Sequence, residues 1–221
     1  MKKNICFFII ALAFAGTLNA QLVSETVTVN PGYTHQTWYE LETGTETQAA
    51  KNTWDIAFAT SSIGMGSSIR VNAAIGTKLW VYPHGDTSAW NTLDTAGIDG
   101  WPESLNSDTS WLAGAFDANT TSDEFDLGWG VYNMMTHFVV GDSLFVIKLT
   151  DNSYRKVWIQ QLASGSYNFK FANIDGSSPI TQAIVKSDYS GKNFAYYSLR
   201  TDTETNPEPA NTNWDLLFTQ Y

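Results

Sequence analysis

Cysteine is nearly missing from this chain: Cys6 is the only one in 221 residues. It sits at the head of an apolar run, Ile5 to Ala15, that follows Lys2 and Lys3 and gives way to Gly16-Thr17-Leu18-Asn19-Ala20 and a polar stretch from Gln21. A basic start, a short apolar run and small residues before a polar stretch read as a secretory leader over residues 1–20. Cleavage is expected after Ala20, with Ala15 as the weaker alternative. The run is well short of the roughly 20 residues a membrane-crossing helix needs. Cys6 is not beside the cleavage point, which argues against a lipid-anchored lipoprotein. The secreted chain then has no disulfide and no thiolate chemistry, and at this size it can bury enough surface without staples.

Basic residues are also scarce, 12 against 22 acidic, for a net charge of −10, and loss of the leader removes two more lysines. Such a surface repels phosphate backbones and anionic lipids, so nucleic acid is not expected as a partner. The chain also lacks a nucleophile elbow, a His-Glu-x-x-His helix, a phosphate-cradling glycine loop and a Cys/His zinc set. The expectation is a binding protein, not an enzyme. A secreted hydrolase with paired loop carboxylates, which leave no linear signature, ranks third.

Helical periodicity is almost absent. Short segments rich in aromatic and β-branched residues alternate with Ser, Thr, Asn, Asp and Gly, the pattern of strands joined by turns. Strands are expected at 22–29, 36–42, 53–59, 68–73, 78–82, 143–149, 154–161, 166–172, 181–185, 194–200 and 213–219. Asp151-Asn152-Ser153 and Ala163-Ser164-Gly165 are turn sequences, making 143–172 an antiparallel meander, and 154–161 reads as a strand with one charged edge. Residues 84–130, with Trp90, Trp101, Trp111 and Trp129 in polar surroundings, read as long loops with one short helix or strand. The fold class is all-β: many short antiparallel strands in a sandwich or twisted sheet with long loops, in one domain over 21–221. An apolar strand running straight to Tyr221 is expected of a domain that lacks further C-terminal strands.

One motif occurs twice. Tyr39-Glu-Leu41-Glu-Thr43-Gly-Thr45-Glu46-Thr47 is echoed by Tyr197-Ser-Leu199-Arg-Thr201-Asp-Thr203-Glu204-Thr205. Each is followed by a Trp-Asp strand, Trp54-Asp55-Ile56-Ala-Phe58 and Trp214-Asp215-Leu216-Leu-Phe218. Alternation puts Trp, Ile or Leu, and Phe on one face and Asp on the other. The copies are expected at related positions of one sheet system, with both Trp buried.

Through Tyr39-x-Leu41, Asn52-Thr-Trp54-Asp55-Ile56-Ala57-Phe58, Arg70-Val-Asn72, Lys148-Leu-Thr150-Asp151-Asn-Ser-Tyr154-Arg-Lys156, Ser166-Tyr167-Asn-Phe169-Lys170-Phe171, Tyr196-Tyr197-Ser198-Leu199 and Trp214-Asp215-Leu216-Leu217-Phe218-Thr219, the chain resembles the HmuY-like family of secreted haem-binding proteins of Bacteroidetes. The resemblance implies an all-β fold that grips one haem between loops or finger-like strands. It also implies a role in iron acquisition, taking haem from host haem proteins and passing it to an outer-membrane receptor. The family's lipid-bearing cysteine has no counterpart here, and its axial ligands match no positions in this chain.

Candidate ligands therefore come from residue chemistry. Haem takes His or Met axial ligands in an apolar slot, and the chain offers His35, His84, His137, Met65, Met134 and Met135. Asn133-Met134-Met135-Thr136-His137 is the densest cluster, and His84 is its expected partner from a second loop. Each residue is also explained as a surface histidine or a gap-filling methionine. Nine tryptophans open a second reading, a carbohydrate-binding or adhesion module of a larger cell-surface protein. Trp90, Trp101 and Trp111 are its stacking candidates, while Trp54, Trp80, Trp158 and Trp214 are expected in the core. The acidic run Asp117–Asp126 fails the calcium-loop pattern and reads as solvated.

Overall fold

The computed structural model describes residues 22–61 and 66–220. The expected leader and Met65 lie outside the described residues. Strands dominate: β1 (His35–Tyr39), β2 (Glu46–Ala50), β3 (Ile56–Ala59), β4 (Ile69–Val71), β5 (Lys78–Val81), β6 (Glu103–Ser104), β7 (Gly130–Asn133), β8 (Phe138–Gly141), β9 (Phe145–Lys148), β10 (Tyr154–Ala163), β11 (Ser166–Asn173), β12 (Ile180–Val185), β13 (Phe194–Ser198), β14 (Thr203–Thr205) and β15 (Leu216–Phe218). Helical segments among the described residues are short 3-10 turns. None is long and apolar enough to cross a membrane. The fold is all-β, as the sequence pattern indicates.

The strands form three antiparallel sheets. The largest runs β12-β11-β10-β9-β5-β6, with β8 against the far end of β10 and β7 on β8. The second runs β14-β13-β3-β4 and the third β15-β1-β2. The expected meander is present as β9-β10-β11, turning through left-handed Asn152 and through Ser164-Gly165. The bend between β8 and β9 depends on Gly141, where a Cβ would lie 1.7 Å from the Ile159 carbonyl oxygen.

The main core lies between the first two sheets. Alternation aims Ile56, Phe58, Ile69, Val71, Ala195 and Tyr197 at Phe145, Ile147, Val157, Ile159, Tyr167 and Phe169. The opposite face of the large sheet carries Trp80, Tyr82 and Val146. Residues 89–101 cover it through Ala89, Trp90, Leu93, Ile98 and Trp101. Lys156 does not form a solvated edge: it is 1% exposed. Its ammonium donates to the Trp90 carbonyl at 2.7 Å and stands 4.9 Å from the Trp90 ring, where the π face offsets lost hydration.

Several expectations need correction. Residues 22–29 join no ladder; the Thr28 carbonyl accepts from Thr37 Oγ1 and Gln48 Nε2 instead. Polar β2 and β14 carry too little apolar alternation to read as strands, and the hairpin β7–β8 is a further departure from the expected strands, formed by Val131-Tyr132 and Phe138-Val139-Val140. The doubled motif holds related positions, but in two separate sheets and not in one. Each Tyr strand pairs with the Trp-Asp strand of the other copy: Tyr197 opposes Ile56, and Tyr39 opposes Leu216. The turn strands match too, with Tyr39 opposite Glu46 and Tyr197 opposite Glu204. Even the irregular bonds repeat, Asp55 N–H to the Tyr197 carbonyl and Asp215 N–H to the Tyr39 carbonyl, both at 2.9 Å. The third sheet and the first three strands of the second are thus two renderings of one three-stranded unit.

Candidate functional site

A groove of about 270 Å³ opens between these two related sheets. One wall is the third sheet, through Gln36 and Leu217; the other is the outer face of the second, through Ala57, Arg70 and Tyr196. Arg70, Ala57 and Tyr196 are consecutive cross-strand neighbours, and the alanine in the middle makes the trough. Trp54 is half-buried and packs on Tyr196 edge to face at 5.0 Å, with Phe194 alongside. This corrects the sequence expectation. Trp54 lies before the first ladder pair, so alternation does not hold it on the Ile56–Phe58 face. It turns to the opposite one.

The rim is the loop 106–111. Arg70 reaches out of β4 and donates to the carbonyls of Ser110 (3.2 Å), Trp111 (2.9 Å) and Ser107 (3.5 Å). Buried Asn106 anchors the base of the loop, bonding both N–H and C=O of Val71 at 3.1 and 2.8 Å. So held, Trp111 is 43% exposed, with its ring 5.7 Å from Phe194 and 5.9 Å from Trp214. Beside it Asp108, Thr109 and Ser110 line the groove with polar groups. The indole N–H groups of Trp54 and Trp214 are buried with no hydrogen-bond partner.

Below the groove, Glu208 is 1% exposed and accepts from the backbone N–H groups of Asn193 and Phe194, from Asn193 Nδ2 and from the Tyr196 hydroxyl. Burial raises its pKa and, with the nearby carboxylate, pushes the Tyr196 hydroxyl well above its usual range. Tyr196 is thereby fixed as a neutral donor. Asp117 stands behind the loop, accepting from Ser68 Oγ (2.5 Å), Gly114 N–H (2.7 Å) and Ile69 N–H (3.3 Å); burial lifts its pKa to about 7.

The other sequence candidates lie elsewhere. Met134 and Met135 are 64% and 92% exposed at the tip of the β7–β8 hairpin. Asn133 Oδ1 holds the turn by accepting from the N–H groups of Met135 and Thr136. His137 has a left-handed backbone, φ 59°, and its Nδ1 is 2.6 Å from the Tyr132 hydroxyl. His84, beyond β5, packs edge to face on Tyr82 and Trp101 at 5.6 and 5.7 Å. His35 Nδ1 bonds the Thr34 hydroxyl. The partners of His84 and of the 134–137 cluster are thus local to each loop.

Of the stacking candidates, Trp101 is half-buried and Trp90 is covered by the Lys156 and Lys170 ammoniums; Trp111 alone borders the groove. Asp123 and Asp126 accept hydrogen bonds within their own turn, whereas Asp117 departs from the solvated reading, because its carboxylate is taken up by Ser68 and Ile69. No group of three or more His, Cys, Asp or Glu side chains that could hold a metal ion occurs among the described residues. Arg70 and Tyr196 were legible in the sequence only as motif residues, because their shared site depends on pairing across three strands. Compared with protein-family models, curated proteins and solved structures, the chain matches none.

Proposed function

We propose that the protein is a ligand-binding module that takes a carbohydrate in the groove beside Trp111. The observation that carries this is a large indole, 43% exposed, held still by a loop whose carbonyls are tied to Arg70. A rigid aromatic surface with hydroxyls and a carboxylate beside it suits a sugar ring, which offers an apolar C–H face to stack and hydroxyls to bond. The groove suits one or two sugar units, not a long buried chain. The test is titration with soluble neutral oligosaccharides of different linkage, followed by tryptophan fluorescence. At least one should bind saturably, and Trp111→Ala should weaken it by about tenfold or more. Binding unchanged in that variant, or no binding across the set, removes the reading.

A second reading is favoured by the Tyr132–His137 contact. A Tyr132 hydroxyl that accepts from Nδ1–H leaves Nε2 unprotonated, the arrangement metal-binding histidines use. With Met134 and Met135 beside it and His84 as the more distant candidate, haem is the cofactor proposed, and iron acquisition from host haem proteins the role. On either reading the protein works outside the cytoplasm after losing residues 1–20. A Soret shift on adding haem, lost in a Met134/Met135/His137 triple-alanine variant, supports this reading. An unshifted spectrum eliminates it.

A further inference from the structure

We propose that the free edge of β15 is a docking site for an extended segment of another polypeptide, which adds to it antiparallel as β4 adds to β3. The doubled unit carries the inference. β3 and β15 occupy equivalent places, each paired on one side with a Tyr strand in the same register. On its other side β3 pairs with β4, Ile56 opposite Val71 and Phe58 opposite Ile69. β15 ends its sheet among the described residues and has no strand there.

The backbone parity is set. In the second sheet, the Asp55 carbonyl accepts from Asn72 N–H and Ala59 N–H donates to the Ser68 carbonyl, both at 2.9 Å. Odd-numbered residues of β3 therefore bond outward to β4. The same parity in β15 turns the groups of Leu217 and Thr219 toward the open edge.

The side chains repeat the contrast. Ile56 and Phe58 are 0% exposed, and Ile69 of β4 helps cover them; their counterparts Leu216 and Phe218 are 42% and 38% exposed. An uncovered edge with two apolar side chains on one face is the surface that strand addition uses, with main-chain bonds for affinity and alternate side chains for selection. Asp215 and, on the adjoining hairpin, Glu40 and Glu42 lie at one end of β15, while Arg70 lines the same groove as Leu217 and Lys51 bonds Gln220 at the other end. The occupant that fits is an extended strand with apolar residues at alternate positions, the pattern Ile69 and Val71 present to β3.

The probe is a synthetic peptide with the sequence of residues 67–74, added in excess to the full protein. Amide resonances and hydrogen exchange are followed. The expected result is saturable shifts and slowed exchange at Leu217 and Thr219. These should be lost with a peptide N-methylated at the residue corresponding to Asn72, and weakened at least tenfold by Phe218→Asp. Unperturbed Leu217 and Thr219 amides at millimolar peptide, or an N-methylated peptide that binds equally, overturn the proposal. Concentration-dependent self-association of the protein alone, abolished by Phe218→Asp, overturns it in favour of a second copy as occupant.

Discussion

Phe58 and Phe218 hold the same place in two copies of one motif, yet one is 0% and the other 38% exposed. Asp55 and Asp215 differ in the same way. Asp55 is fully buried and accepts from Arg200 Nε at 2.8 Å, from the Arg200 N–H and from Ser198 Oγ. Asp215 is exposed, and its side chain accepts from the Leu41 N–H at 2.7 Å. The local grammar of the copies is shared, so the difference comes from what lies against them. The second sheet has β4 on its edge and the large sheet on its face. In the third, β1 is buried from Gln36 to Tyr39, while the outer strand β15 has a free edge. A repeated motif therefore encodes a pairing geometry, while the layers around it decide whether that geometry becomes core or surface.

The largest test of this contrast is truncation of the two phenylalanines. Phe58→Ala should cost about 3–5 kcal/mol, the range for large aromatics in a close-packed core. Phe218→Ala should stay within about 0.5 kcal/mol, as surface changes do. Denaturant melts of the two variants measure both, and equal losses would erase the distinction. Next comes the aspartate pair. Asp55→Ala strips a buried carboxylate from Arg200, whose side chain is 21% exposed, and should cost about 3 kcal/mol. Asp215→Ala removes one exposed hydrogen bond and should cost about 1 kcal/mol or less.

A test of a different kind lies where β4 is clamped by Asp117. Its pKa is raised to about 7, principally by burial. The folded state holds a proton that the unfolded chain gives up near its ordinary value. Stability from this site is therefore fully present at low pH, falls as pH rises from about 4 to about 7, and stays low above that. Protection factors at residues 67–72, which remove the intrinsic rise of amide exchange with pH, should fall across this window in the native protein and become flat with pH in Asp117→Asn. A native protein whose protection there rises with pH would reverse the assignment.

Much of the fold was legible in the sequence because strand alternation is local. The cores of β3, β5, β9, β10, β11 and β13 follow from the spacing of Phe, Ile, Val and Tyr. β2 and β14 were not, since Glu46–Ala50 and Thr203–Thr205 owe their strand state to neighbours that supply hydrogen bonds. Trp111 stood out as a stacking candidate from its polar surroundings. Nothing in the chain order shows that Arg70, about 40 positions away, would hold the loop beneath it.

By itself the sequence determined the all-β class, the meander and the existence of a repeated unit, because apolar period and turn chemistry act over a few residues. Only the tertiary structure decided that the repeats exchange strands, that Trp54 turns away from Ile56, and that one copy is covered while the other keeps an open edge. Those outcomes depend on hydrogen bonds and buried surface shared between segments more than 100 residues apart. No local pattern carries the energy of contacts that form only when distant strands meet.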